Sequence, residues 1–313
     1  MESATLIAEI PETILTPRAP ARIADAISPA ARVADFIALT KPRMNFLVVA
    51  TTGVGFFMAA RGGMEWGRLM NTLLGTALTA AGASVLNQFA ERELDGRMAR
   101  TQDRPLPAGR LMPMEALIWG IVLTTAGLVE LRLFVNALTA ALAAFTLISY
   151  VFLYTPLKRY STLCTIVGAV PGAIPIVMGW AAVRGMLSVE AIALFAIMFI
   201  WQMPHFLAIA ILYRDDYAAG GFKMLPVVDT TLRTTSGQIV LYAAALIPVS
   251  LLPAMLHTAG VVYLGAAIAL GAIFAGFGVL CALSRARAEA RQLFLASIVY
   301  LPLLLAVMMI DKL

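Results

Sequence analysis

The sequence predicts an all-α polytopic membrane protein: nine transmembrane helices in one bundle, N-terminus in the cytosol and C-terminus in the periplasm. Three observations predict it. Of 313 residues, 61% are hydrophobic and 13% charged, whereas a soluble domain is nearer half apolar and a quarter charged. The apolar residues fall in runs of about 20, the length needed to cross hydrocarbon as a helix. The basic residues, finally, gather in alternate connections, as they do in membrane proteins of fixed orientation.

Residues 1–35 carry Glu2, Glu9, Glu12, Asp25 and Asp35, unlike the basic start and apolar core of a signal peptide. They read as a polar, poorly ordered cytosolic arm, with residues 36–313 as the membrane domain. Candidate spans follow near 44–60, 69–91, 113–131, 134–155, 163–182, 188–212, 236–256, 259–283 and 292–310. They lack the alternation of barrel strands, and open sheets cannot cross lipid. With the N-terminus inside, 18 Lys and Arg face the cytosol and five face outward. That division sets the orientation, and it turns the net charge of +5 into a topology signal rather than a sign of nucleic acid binding. Two isolated cysteines, Cys164 and Cys281, make neither a zinc site nor a disulfide framework.

Two inner connections, about 92–112 and 213–235, are long and polar, and long connections in a compact bundle tend to carry function. The first follows Asn87-x3-Glu91-x3-Asp95 and contains Arg100 and Arg104. Steps of four place three oxygen-bearing side chains on one helix stripe. Such a stripe suits Mg²⁺, which takes one or two carboxylates and leaves its other positions to water and substrate phosphates. Arg100 and Arg104 offer charge-assisted hydrogen bonds to phosphate. A solvated helix end laced with salt bridges explains the same spacing equally well.

The second connection opens Tyr213-Arg214-Asp215-Asp216-Tyr217. Adjacent carboxylates either face water or share a cation. With the first stripe they could hold two Mg²⁺ ions and a diphosphate. Lys158 and Arg159 form a third polar spot, which topology alone would explain. Lys41-Pro42-Arg43 opens the first span, with proline where a helix start tolerates it and bases free to snorkel. His205 lies inside the sixth span after Pro204; His257 lies on the other side of the membrane. An intramembrane histidine points to function, although packing at a proline kink is the commoner cause.

In order, Leu39-Thr-Lys-Pro-Arg43, Asn87-x3-Glu91-x3-Asp95, Arg100-Thr-x2-Arg104-Pro, Tyr154-Thr-Pro-Leu-Lys158-Arg159, Trp201-x2-Pro204-His205-Phe206 and Tyr213-Arg-Asp-Asp-Tyr217-x2-Gly220-x3-Met224-Leu-Pro226 resemble the UbiA-type intramembrane prenyltransferases, and within them the haem-farnesylating branch. Two departures stand out: Glu91 replaces the usual Asp, and tyrosines occupy the outer positions of the second motif. The resemblance implies farnesyl diphosphate and haem b as substrates, giving haem O for haem-copper oxidases, in a bacterial inner membrane. It implies Mg²⁺, two ions bridging the diphosphate, held by Asn87, Glu91, Asp95, Asp215 and Asp216. Arg43, Arg100, Arg104 and Lys158 would neutralise the diphosphate, and His205 would contact the haem. An oxidase assembly factor or haem O-accepting enzyme would be a further partner. The rivals are a sister enzyme with a quinone-precursor or chlorophyllide acceptor and, more distantly, a secondary transporter. Transporters place their ionisable groups near mid-membrane, whereas these carboxylates sit at one face.

Overall fold

The computed structural model describes residues 28–313. The chain runs α1 (Pro29–Leu39), α2 (Pro42–Ala59), α3 (Trp66–Asp95), α4 (Pro113–Phe134), α5 (Ala137–Ile148), a π-helical turn (Ser149–Tyr154), α6 (Thr155–Leu157), α7 (Cys164–Arg184), α8 (Val189–Leu212), α9 (Arg214–Ala219), α10 (Leu225–Val228), α11 (Arg233–Met255), α12 (Val261–Ser284) and α13 (Arg287–Ile310). Apart from one isolated bridge, Ala259 with Lys312, the described residues contain no β-structure.

Among the described residues, eight helices are long and apolar enough to cross a membrane, where nine runs were expected. The expected first run falls on α2, whose 18 residues spend their opening turn on Pro42, Arg43 and Asn45. The boundary expected at residue 35 falls inside a helix. Ser28 caps α1 by accepting from the Ala31 amide (3.2 Å), and Pro29 occupies the first turn, a sequence well suited to a helix start. Ion pairs from Arg32 to Glu115 and from Asp35 to Arg110 tie α1 to the chain around α4. Phe36 packs edge-on against Trp119. The rest of the expected arm, 1–27, lies outside the described residues.

Lipid gives no hydrophobic drive between helices, so close packing and small residues must hold the bundle. At Gly55 of α2 and Gly179 of α7 the requirement is steric. A Cβ on the first would stand 1.8 Å from the Ile176 carbonyl oxygen, and on the second 1.9 Å from that of Thr52. α7 and α8 are the most enclosed of the eight spans, and around them lies the largest core cluster, with Trp180, Ile197, Trp201 and Leu207.

The two long connections are ordered and pack together. Met98 from the first shares a buried cluster with Phe222 and Met224 from the second, and with Cys164 at the start of α7. The Lys223 amide donates to the Lys158 carbonyl oxygen (2.7 Å), and Thr101 Oγ1 to that of Asp95 (2.7 Å). One end of the bundle is thereby roofed by both loops, and the last turns of α3 run beneath them.

Candidate active site

Asn87, Glu91 and Asp95 lie on one face of α3 and are 2%, 5% and 1% exposed. Buried carboxylates this enclosed require compensating charge. Lys158 Nζ lies 2.5 Å from Glu91 Oε1, and Arg104 donates to Asp95 Oδ2 at 2.7 Å. Asn87 Nδ2 donates to Glu91 Oε2 (3.1 Å) and Thr155 Oγ1 (3.0 Å), and Asn87 Oδ1 accepts from Lys41 Nζ at 3.4 Å. Three bases thus face two carboxylates and an amide.

The elements that deliver these bases are irregular. Lys158 comes off α6 just after the π-helical turn, a widening often found at functional sites. Its ammonium rests 4.8 Å from the Tyr154 ring and 5.3 Å from the Phe222 ring. Lys41 sits in the break between α1 and α2 with φ of 48°, a left-handed conformation uncommon outside glycine. Burial, with Arg104 and Lys158 nearby, pushes its ammonium down to about 7. At Lys158 burial pulls the same way, but the adjacent Glu91 carboxylate outweighs it and holds the amine above its ordinary value. A cluster whose spare cation is held down first by burial and then by neighbouring cations is suited to receive an anion.

The second acidic segment behaves differently. Asp215 is exposed and pairs with Arg287 of α13 at 2.5 Å. The structure therefore does not bring it to the stripe, because α9 turns that side chain toward the start of α13. Asp216 is half-buried and has no ion pair among the described residues. Of the flanking tyrosines, Tyr217 is half-buried and Tyr213 is exposed. Burial raises the Tyr217 phenol, offset by Arg100 and Lys158, and Arg100 stacks over the Tyr213 ring at 4.8 Å. Arg43 is exposed, and Lys41, two residues earlier, reaches the cluster instead. His205 lies apart, eight residues before Tyr213 on α8, or about 12 Å along the axis.

Spacing did not single out Lys41, Thr155, Tyr154, Tyr217 or Phe222. Proline after Lys41 was a visible sign of a chain break; the π-turn that places Tyr154 and Thr155 leaves no comparable mark.

The donor set can be tested against a metal. Among the described residues no three His, Cys, Asp or Glu side chains converge on one point. Asn87, Glu91 and Asp95 share one buried face of α3, and Glu91 Oε1, paired with Lys158 Nζ at 2.5 Å, has no aligned hydrogen bond. That set fits one Mg²⁺ completed by non-protein oxygens. A second ion would draw on Asp216 and lacks Asp215.

The sequence profile described as the UbiA prenyltransferase family matches residues 48–301. A protein named Protoheme IX farnesyltransferase from Solibacter usitatus (strain Ellin6076) is 49% identical over 287 residues, 89% of this chain and 98% of the relative. One of the same name from Aquifex aeolicus (strain VF5) is 39% identical over 280 residues, covering 89% and 95%. Among solved structures, a digeranylgeranylglyceryl phosphate synthase superposes with TM-score 0.73 at 16% identity, over 90% of this chain and 98% of that one. A UbiA homolog from Archaeoglobus fulgidus bound to DMAPP and Mg²⁺ gives 0.66 at 15% identity, over 88% and 99%. The chain belongs to the UbiA prenyltransferase family.

Proposed function

We propose that this prenyltransferase moves the farnesyl group of farnesyl diphosphate onto a vinyl group of haem b, with addition of water, giving haem O. The observation that carries the metal-and-diphosphate half is the buried Asn87–Glu91–Asp95 stripe opposed by Lys41, Lys158 and Arg104 at the roofed end of an apolar bundle. The names of the relatives support the choice of donor and acceptor.

Asn87, Glu91 and Asp95 would hold Mg²⁺, which supplies Lewis-acid stabilisation of the leaving diphosphate. Lys158, Arg104 and Lys41 neutralise the remaining charge, with Arg100 at the rim. Preorganised charge of this kind supplies most of the rate acceleration in many enzymes. As the C1–O bond of the donor breaks, a farnesyl cation develops against apolar helix faces. The vinyl π-pair attacks C1, water adds to the resulting haem-side cation, and its proton leaves to solvent. His205 contacts the haem. The site faces the cytosol at the inner membrane, in keeping with the 18-to-5 division of basic residues. Haem O passes to haem-copper oxidases or their assembly factors.

The test is to incubate purified protein with haem b, farnesyl diphosphate and Mg²⁺ and weigh the tetrapyrrole by mass spectrometry. A gain of one farnesyl group plus one hydroxyl is expected, lost with EDTA and restored by Mg²⁺. Prenylated hydroxybenzoate with no haem O would overturn the acceptor, and turnover unaffected by EDTA would overturn the metal.

A further inference from the structure

His205 sits in a hydrogen-bond chain whose direction can be worked out. Ser297 of α13 is fully buried. Its Oγ lies 2.7 Å from His205 Nδ1 and 2.5 Å from the Phe294 carbonyl oxygen. A serine hydroxyl has one proton to give and two lone pairs. Two oxygens that close need a proton between them, so the hydroxyl donates to Phe294. Ser297 Oγ is then the acceptor toward the ring, and His205 Nδ1 carries the N–H. A neutral imidazole has one ring proton, which leaves Nε2 with its lone pair. Were Ser297 to donate to Nδ1 instead, the two oxygens would face each other bare.

The ring's orientation is fixed as well. Trp201 stacks on it with centroids 5.0 Å apart, and Phe294 packs at 5.2 Å. Trp201 Nε1 donates to the Ser297 carbonyl oxygen at 3.0 Å. One buried serine therefore anchors both the histidine and the indole that stacks on it, joining α8 to α13 at that level.

We propose that Ser297 is a positioning residue for the tetrapyrrole substrate: it holds His205 as the Nδ1–H tautomer, so that Nε2 presents a bare lone pair to the substrate's iron. This rests on the reading of His205 as the haem contact. A histidine that ligates a metal through one nitrogen almost always donates from the other to an oxygen, which fixes the ring and makes the ligating nitrogen more basic. Bonding at the vinyl group leaves the iron's oxidation state unchanged, so the role of this contact is to orient the porphyrin.

The chain has two histidines, so His257→Gln leaves His205 as the sole imidazole in the full-length protein. Solid-state ¹⁵N NMR of that protein without haem should show a pyrrole-type Nδ1 and a pyridine-type Nε2; an Nε2–H ring overturns the inference whatever the variants do. With ferric haem added, a nitrogen-ligated Soret band is expected. Ser297→Ala should mix the tautomers and weaken haem binding about tenfold, with the KM for farnesyl diphosphate unmoved, while Ser297→Thr should recover most of the loss. An unchanged tautomer and haem affinity in Ser297→Ala would refute the role of Ser297 alone. An unchanged haem spectrum in His205→Ala would refute the haem contact itself.

Discussion

The end of α3 and the short helix α9 both carry clustered carboxylates within a few residues of arginines, and they share a roof of packed loops. They differ in what surrounds the acids. Glu91 and Asp95 are buried and meet Lys158 and Arg104, whereas Asp215 stands in solvent against Arg287, with both side chains more than half exposed. Removing two charges from water costs several kcal/mol per ion before any attraction is counted. An exposed pair costs little and returns about 0–1 kcal/mol. The expensive arrangement at one segment and the cheap one at the other is why we propose the first as the seat of the chemistry. Counting acids in a motif does not reveal this; the length of the helix beneath them does. α3 continues under the loops, while α9 stops after six residues.

The sharpest test of that contrast is Asp95→Asn, or Glu91→Gln. Turnover should fall by at least about 100-fold, the scale of losing one preorganised charge at a reacting group, with the protein still folded and inserted. Wild-type haem O formation at saturating Mg²⁺ would dissolve the contrast. Next in size is Lys158→Met, which strands Glu91. Breaking a buried pair from one side costs about 3–5 kcal/mol, seen as a lower Tm in detergent. Adding Glu91→Gln should recover stability without recovering turnover. Tyr217→Phe removes one inward hydroxyl and should lower kcat/KM for farnesyl diphosphate by up to about tenfold, the worth of one hydrogen bond. Asp215→Asn should be the smallest, within about threefold of wild type, as an exposed pair warrants. A collapse there would restore the second acidic motif to the reaction centre.

Much of the bundle was legible because crossing lipid demands apolar length. Runs of about 20 residues mark the spans, and only α2, with its polar first turn, falls short of the composition that marks the other eight. The α3 stripe was legible for a similar reason: steps of four read directly as one face. What escaped were contacts made across the fold. Lys41 joins Asn87 from 46 positions away, and its neighbour Arg43 has the same charge and an equal claim on sequence grounds. Asp215 and Asp216 looked interchangeable until the turn of α9 aimed the first at Arg287. Tyrosine gives no acidic signal, so Tyr217 read as a departure from a pattern although it packs against the buried cluster of Met98 and Phe222.

The π-helical turn at Ser149–Tyr154 has a further consequence. A wide turn of this kind holds more residues per revolution than the α-helix around it. Deleting one residue there would let ordinary helix run through, and each residue of ordinary helix subtends about 100°. Five residues of ordinary helix turn about as far as these six, so Lys158 would keep its bearing on Glu91, whereas the same deletion in the ordinary helix just before the turn would swing it roughly a quarter of the way round the axis. Spare length in this turn thus absorbs one residue without moving the cluster, and the count of residues matters more in the ordinary helix before it than in the turn itself.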